Sequence, residues 1–212
     1  MSHEKFETCL RDLPLIAILR GIQPEEAVET GRVLWAAGFR IIEVPLNSPS
    51  PLLSIQRLRA SLPAACLVGA GTVTSPEWVQ QVAAAGGEII VMPHADTRVI
   101  RAAKAAGLLC APGVATPTEA FAALAAGANA LKIFPAELVS PVAVAAMRSV
   151  LPIGTILLPV GGISPDNMQP YLRVGARGFG LGSALYRAGQ PLARTEENAK
   201  RFVRVWRERE AG

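Results

Sequence analysis

The chain has 212 residues, half of them hydrophobic, with a mean hydropathy of +0.33 and a formal charge of +4. Such a length suits one domain with a large core, and the apolar content excludes a disordered or fibrous chain. The positive surplus is dispersed among acidic residues, as at Arg194 and Arg209 with Glu196, Glu197, Glu208 and Glu210 between or beside them, which excludes the concentrated basic stripe of a nucleic-acid binder while favouring a small anionic substrate.

In chain order, residues 1–12 read as a leading helix that covers one end of the fold. The apolar run that follows, 13–19, comes after Glu4, Glu7 and Asp12, ends at Arg20 and has no small-residue cleavage site, so it reads as neither signal peptide nor membrane span. Eight short apolar or β-branched runs then recur, at 15–20, 41–46, 66–73, 89–94, 108–113, 130–135, 156–162 and 178–183. Each reads as a strand. Between them, Ser75-Pro76, Thr116-Pro117, Ser140-Pro141 and Ser164-Pro165 each set a capping hydroxyl before a proline at a helix start, and Thr116 with Glu119 makes a capping box. Gly38, Gly86, Gly107, Gly127 and Gly175 punctuate the helix ends. The repeat is therefore strand then helix, with about 26 residues available per unit if 212 residues make eight. The expectation is a single domain over residues 1–212, a (β/α)8 TIM barrel with a short leading helix. A doubly wound open sheet, the alternative, needs fewer strands or a longer chain.

Cys9, Cys66 and Cys110 are odd in number and lack metal-ligand spacing. They read as reduced core residues, consistent with the cytoplasm.

In such a barrel the chemistry lies at the C-terminal ends of the strands, where Arg20, Glu43, Thr72 and Lys132 stand out against apolar neighbours. Alternation puts Lys132 on one face with Ala130 and Phe134, and Glu43 on one face with Ile41 and Pro45. Of the four lysines, Lys132 alone is flanked by apolar residues. Burial of an ammonium lowers its pKa at about 1.4 kcal/mol per unit, and the neutral amine is the form that attacks a ketone. The other reading, a packed stem with a snorkelling or paired head, weighs equally on this position alone. Once a keto carbon is held as a protonated imine, the adjacent carbon–carbon bond can break, and Glu43 is the carboxyl group placed to move protons, unless it only partners Lys132 or Arg20. Gly161-Gly162 and Gly182-Ser183 follow the last two strands, where barrels bind phosphate through backbone amides; tight turns alone are the competing explanation. Arg20 is then free for an anionic or hydroxylated part of the substrate. His3 and His94 cannot supply three zinc ligands, His94 serving either the pocket or the scaffold, and no metal or other cofactor is expected. No dinucleotide or Walker loop is present in the sequence.

These pieces, namely Leu13 to Gly21, Glu43 with Pro45-Leu46-Asn47-Ser48-Pro49, Gly69-Ala70-Gly71-Thr72-Val73, Lys132-Ile133-Phe134-Pro135 and Val160-Gly161-Gly162-Ile163, resemble the bacterial aldolases that cleave 2-keto-3-deoxy-6-phospho sugar acids. The resemblance implies that Lys132 forms the Schiff base, that Glu43 exchanges protons, that Thr72 and Arg20 contact substrate, and that Gly161, Gly162, Gly182 and Ser183 hold phosphate. Pro45-Leu46-Asn47 and Val160 look like the galactonate-type branch, where the gluconate-type has Thr-Leu-Arg and a threonine. The implied partner is a phosphorylated keto sugar acid, 2-dehydro-3-deoxy-6-phosphogalactonate, cleaved to pyruvate and glyceraldehyde 3-phosphate; nucleic acid and membrane are not implied, and the family forms homotrimers. Alternatives are the gluconate or 4-hydroxy-2-oxoglutarate reaction at the same site, a phosphosugar isomerase with Glu43 as enolising base, and a silent phosphosugar-binding module.

Overall fold

The computed structural model describes the backbone of residues 2–210 and the side chains of residues 4–208, so the side chain of His3 lies outside the described residues. Every apolar run contains a strand. Seven give one each: β1 Leu15–Ile18, β2 Ile41–Pro45, β3 Leu67–Gly71, β4 Ile89–Val91, β7 Leu131–Ile133, β8 Leu157–Pro159 and β9 Phe179–Leu181. The fifth run gives two, β5 Leu109–Ala111 and β6 Gly113–Val114. Helices alternate with them: α1 Ser2–Asp12 leads, then α2 Pro24–Ala37, α3 Pro51–Ser61, α4 Pro76–Ala84, α5 Thr97–Ala105, α6 Pro117–Ala126, α7 Pro141–Val150, α8 Met168–Arg173 and α9 Leu192–Glu210.

The strands pair in parallel, but not in the single eight-stranded sheet expected from the repeat. A curled six-stranded sheet runs β5-β4-β3-β2-β1-β9, and a three-stranded sheet runs β6-β7-β8. Pro112 divides them because a proline has no N–H to give to a ladder. The chain changes partner there, with β5 bonded to β4 and β6 bonded to β7. At the other seam, one parallel bridge joins Val160, just past β8, to Gly180 of β9.

Helix punctuation follows the sequence with two exceptions, the first being Ser75, which precedes Pro76 at the start of α4 but whose side chain makes no capping hydrogen bond. Thr116 and Glu119 form the capping box of α6, Ser140 Oγ accepts from Ala143 N in α7, and Gly38 and Gly127 close α2 and α6 in left-handed conformation. Ser164-Pro165 opens a turn rather than a helix, because Asn167 Oδ1 accepts from Ser164 N at 2.9 Å and delays α8 to Met168.

Strand alternation sorts side chains into two layers. Leu15, Ala17, Ile42, Val44, Leu131, Ile133, Phe179 and Leu181 face the helices in the larger core. Ile16, Ile41, Leu67, Ile89, Leu109, Ala130 and Ile156, near the strand starts, form an inner cluster with Phe6, Cys9 and Leu10 of α1. The leading helix thus closes that end, and Lys5 and Arg59 fix it by sharing Glu88 at 2.5 and 2.8 Å. All three cysteines are free and buried. Among the described residues, no helix is long and apolar enough to cross a membrane.

Candidate active site

Two residues along from Ile41 and Ala130, the same inner face carries Glu43 and Lys132. Both are buried, with 2% and 6% of their surfaces exposed. Glycine makes room for them. Glu43 stands opposite Gly69 in the β2–β3 register, and a Cβ on Gly71 would come within 1.8 Å of Glu43 Oε2. Lys132 is flanked by Gly113 and Leu158, and its ammonium lies 4.4 Å from the Phe134 ring centroid, a cation–π contact.

Burial dominates the electrostatics of both groups. It pushes the Glu43 carboxyl up to about 7, against the opposing pull of Lys132 and Arg20. Burial likewise lowers the Lys132 amine, while Glu43 raises it and Arg20 adds to the lowering. Lys132 is therefore drawn toward the neutral nucleophile and Glu43 toward a form that can donate as well as accept a proton near pH 7. Glu43 Oε2 is buried against Gly71 and has no hydrogen-bond partner among the described residues.

Above this pair, a cavity of about 470 Å³ brings together Arg20, Lys132, Val160, Gly161, Gly162, Gly182 and Ser183. Two of the residues expected in the site do not line it. Glu43 lies beneath, electrostatically coupled to Lys132 and Arg20, and Thr72 follows β3 in left-handed backbone at φ 56°. That conformation is strained for a β-branched side chain, and such strain gathers at functional sites. The loops after β1 and β2 are cross-tied, with Arg20 donating to Asn47 Oδ1 at 2.7 Å and Gly21 N to Ser48 Oγ at 2.9 Å. Val160 is pinned by its own backbone, which bonds Ile133 O and Ala136 N, each at 2.9 Å. His94 is exposed and outside the cavity lining. Among the described residues, no group of three His, Cys, Asp or Glu side chains could hold a metal ion. A second cavity, of about 500 Å³ around Arg148 and Arg173, contains no buried titratable group in its lining.

Two charged cavity residues were not evident from sequence. Glu137 follows the Lys132-to-Pro135 segment closely, and its carboxylate lies against the paired glycines: a Cβ on Gly161 would be 2.2 Å from Glu137 Oε2. Gly161 and Gly162 also have φ of 107° and 61°, so backbone and packing each require glycine there. Arg187 follows Ser183 by four residues, and its Nε donates to Ser183 O at 3.1 Å. Only their position just past two recognised motifs hinted at either.

Comparison with known proteins matches residues 6–200 to the family described as KDPG and KHG aldolase. The 2-dehydro-3-deoxy-6-phosphogalactonate aldolase of Escherichia coli K12 is 46% identical over 196 residues, which cover 92% of this chain and 96% of that protein. A Rhizobium meliloti protein described as a probable 2-dehydro-3-deoxy-6-phosphogalactonate aldolase is 47% identical over 186 residues, 88% of each chain. Among solved structures, one described as native KDPGal superposes with a TM-score of 0.92 at 46% identity, covering 94% of this chain and 97% of its own.

Proposed function

Since the chain belongs to the KDPG and KHG aldolase family, we propose that it cleaves 2-dehydro-3-deoxy-6-phosphogalactonate to pyruvate and D-glyceraldehyde 3-phosphate through a Schiff base on Lys132. The observation that carries this reading is the buried amine of Lys132, lowered by desolvation and electrostatically coupled to the buried carboxyl of Glu43.

In this reading Lys132 Nζ adds to the C2 carbonyl, and the carbinolamine loses water to give a protonated imine. The imine accepts the electron pair of the C3–C4 bond as that bond breaks. The C4 hydroxyl gives up its proton to the Glu43 carboxylate, left deprotonated by the dehydration step, glyceraldehyde 3-phosphate departs, and that proton is delivered to C3 of the enamine. Water then releases pyruvate and restores the amine. Glu43, with a pKa of about 7, carries the protons of dehydration and of the C3 step, directly or through one water. Arg20, held by Asn47, binds the carboxylate end, and Thr72, just past β3, contributes a hydroxyl to substrate once it is bound. Gly161, Gly162, Gly182 and Ser183 receive the phosphate. Val160 presents methyls where the gluconate-type branch has a hydroxyl, which supports the galactonate epimer over the gluconate or 4-hydroxy-2-oxoglutarate alternatives.

Three coarser features belong to the same proposal. The two sheets form the arcs of one (β/α)8 barrel domain over residues 1–212, supported by the continuity of β5 and β6 across Pro112 and by the Val160–Gly180 bridge. A homotrimer is supported by exposed apolar side chains such as Phe121, Leu138 and Val142, and a cytoplasmic location by the reduced buried cysteines.

The test is reductive trapping. Pyruvate with borohydride is expected to leave a reduced three-carbon adduct on the peptide containing Lys132, with loss of activity. An adduct on another lysine overturns the assignment, and activity that survives without an adduct favours the isomerase reading.

A further inference from the structure

We propose that Arg187 is the cation that receives the substrate's phosphate and so sets the preference for phosphorylated over unphosphorylated keto acids; this rests on the aldolase reading above. A phosphate monoester brings about −1.5 to −2 charges near neutral pH. Glycine amides offer hydrogen bonds but no net charge, and taking such an anion from water without a countercharge is costly.

The charged side chains lining the cavity are Arg20, Lys132, Glu137 and Arg187. Arg20 is tied to Asn47, Lys132 lies under the Phe134 ring at the keto end, and Glu137 is an anion against Gly161 and Gly162. Arg187 remains. Its Nε bond to Ser183 O, at 3.1 Å, uses one of its five donors and holds the guanidinium at the Ser183 backbone. Its other N–H groups have no protein partner among the described residues. A neighbouring cavity of about 420 Å³ shares Arg187 and adds Arg194 and Arg201, but those two are paired with Glu197 and Asp166.

Gly182 gives independent support. A Cβ there would meet nothing within 4 Å, and its φ is not left-handed, so neither packing nor backbone demands glycine. What the missing side chain leaves open is the approach of a ligand to bare backbone, one residue before the Ser183 carbonyl that Arg187 bonds.

The test compares kcat/KM of the full chain on the phosphorylated substrate and on its unphosphorylated counterpart. In Arg187→Gln the ratio of the two is expected to fall about 10- to 100-fold, mostly through KM for the phosphorylated substrate, with partial recovery in Arg187→Lys. Arg194→Gln, at a residue outside the lining of the site cavity, is expected to leave the ratio within about twofold. An unchanged ratio in Arg187→Gln, or an equal loss on both substrates, overturns the proposal. If pyruvate is not trapped on Lys132 in the unaltered protein, the aldolase reading fails instead. Inorganic phosphate binding by calorimetry then still decides: about tenfold weakening in Arg187→Gln supports Arg187 as the anion site, and equal affinity rejects it.

Discussion

Glu43 and Lys132 share one buried inner face, yet among the described residues no hydrogen bond or ion pair joins them. A tight ion pair would fix both groups in their charged forms. Separated and desolvated, the carboxyl moves up to about 7 and the amine moves down, so both approach the working pH from opposite sides. The arrangement costs stability and supplies a nucleophile and a proton carrier from the same two side chains.

That cost has a pH signature. With a folded-state pKa of about 7 against an ordinary value of 4.5, Glu43 makes the folded protein bind a proton more tightly than the unfolded chain. Its contribution is therefore fully present below pH 4.5 and is lost as the pH rises through about 7, a change of roughly 3 kcal/mol. In Glu43→Gln this slope is absent. Urea midpoints of the two proteins from pH 4.5 to 8 are expected to diverge in favour of the variant as pH rises, and a constant difference across that window would show that Glu43 is not desolvated as described.

Gly71 is the partner of this carboxyl in a steric sense. With a Cβ 1.8 Å from Glu43 Oε2, Gly71→Ala must displace the carboxylate, since that approach lies far inside contact distance. A displacement of about 1 Å in a proton-carrying group is expected to lower kcat about 100-fold. Lys132 stays in place, so borohydride trapping of pyruvate should persist while exchange of the pyruvate methyl protons, followed by NMR in deuterium oxide, slows by a similar factor. Exchange at the normal rate would mean that the carboxyl position is immaterial.

What was legible beforehand followed from periodicity and punctuation. Alternation alone put Glu43 beside Ile41 and Lys132 beside Ala130 on one face, and the inner cluster contains Ile41 and Ala130 as that alternation requires. Gly38, Gly86, Gly107, Gly127 and Gly175 all adopt positive φ. The division of the sheet at Pro112 is masked in the sequence by the apolar character of the rest of that run, although the lost N–H is a readable signal. Glu137 and Arg187 are exposed loop residues whose value lies in what they approach across the fold, and neither belongs to any hydrophobic period. The strained backbone of Thr72 likewise depends on tertiary context, since nothing in a threonine favours φ 56°.

Val160 tests epimer choice with a single atom exchange. Its side chain is 6% exposed, and Gly180 leaves it space, since a Cβ there would stand 2.6 Å from Val160 Cγ2. Val160→Thr keeps the shape and exchanges a methyl for a hydroxyl that can pair with the substrate's C4 hydroxyl. The ratio of kcat/KM for the galactonate substrate to that for its gluconate epimer is expected to fall about tenfold. A ratio unmoved by the substitution would shift epimer choice to another part of the cavity.

Glu137 supplies a prediction of opposite sign to the usual loss on mutation. Its carboxylate lies against the glycines proposed to hold phosphate, so an incoming dianion meets a like charge there. Glu137→Gln keeps the size and removes the repulsion. Inorganic phosphate is expected to inhibit the variant about fivefold more tightly than the unaltered protein at low ionic strength, with the difference shrinking as salt screens the two charges. Weaker inhibition in the variant would instead make Glu137 an acceptor for substrate hydroxyls and would move the phosphate away from Gly161 and Gly162, toward Gly182, Ser183 and Arg187.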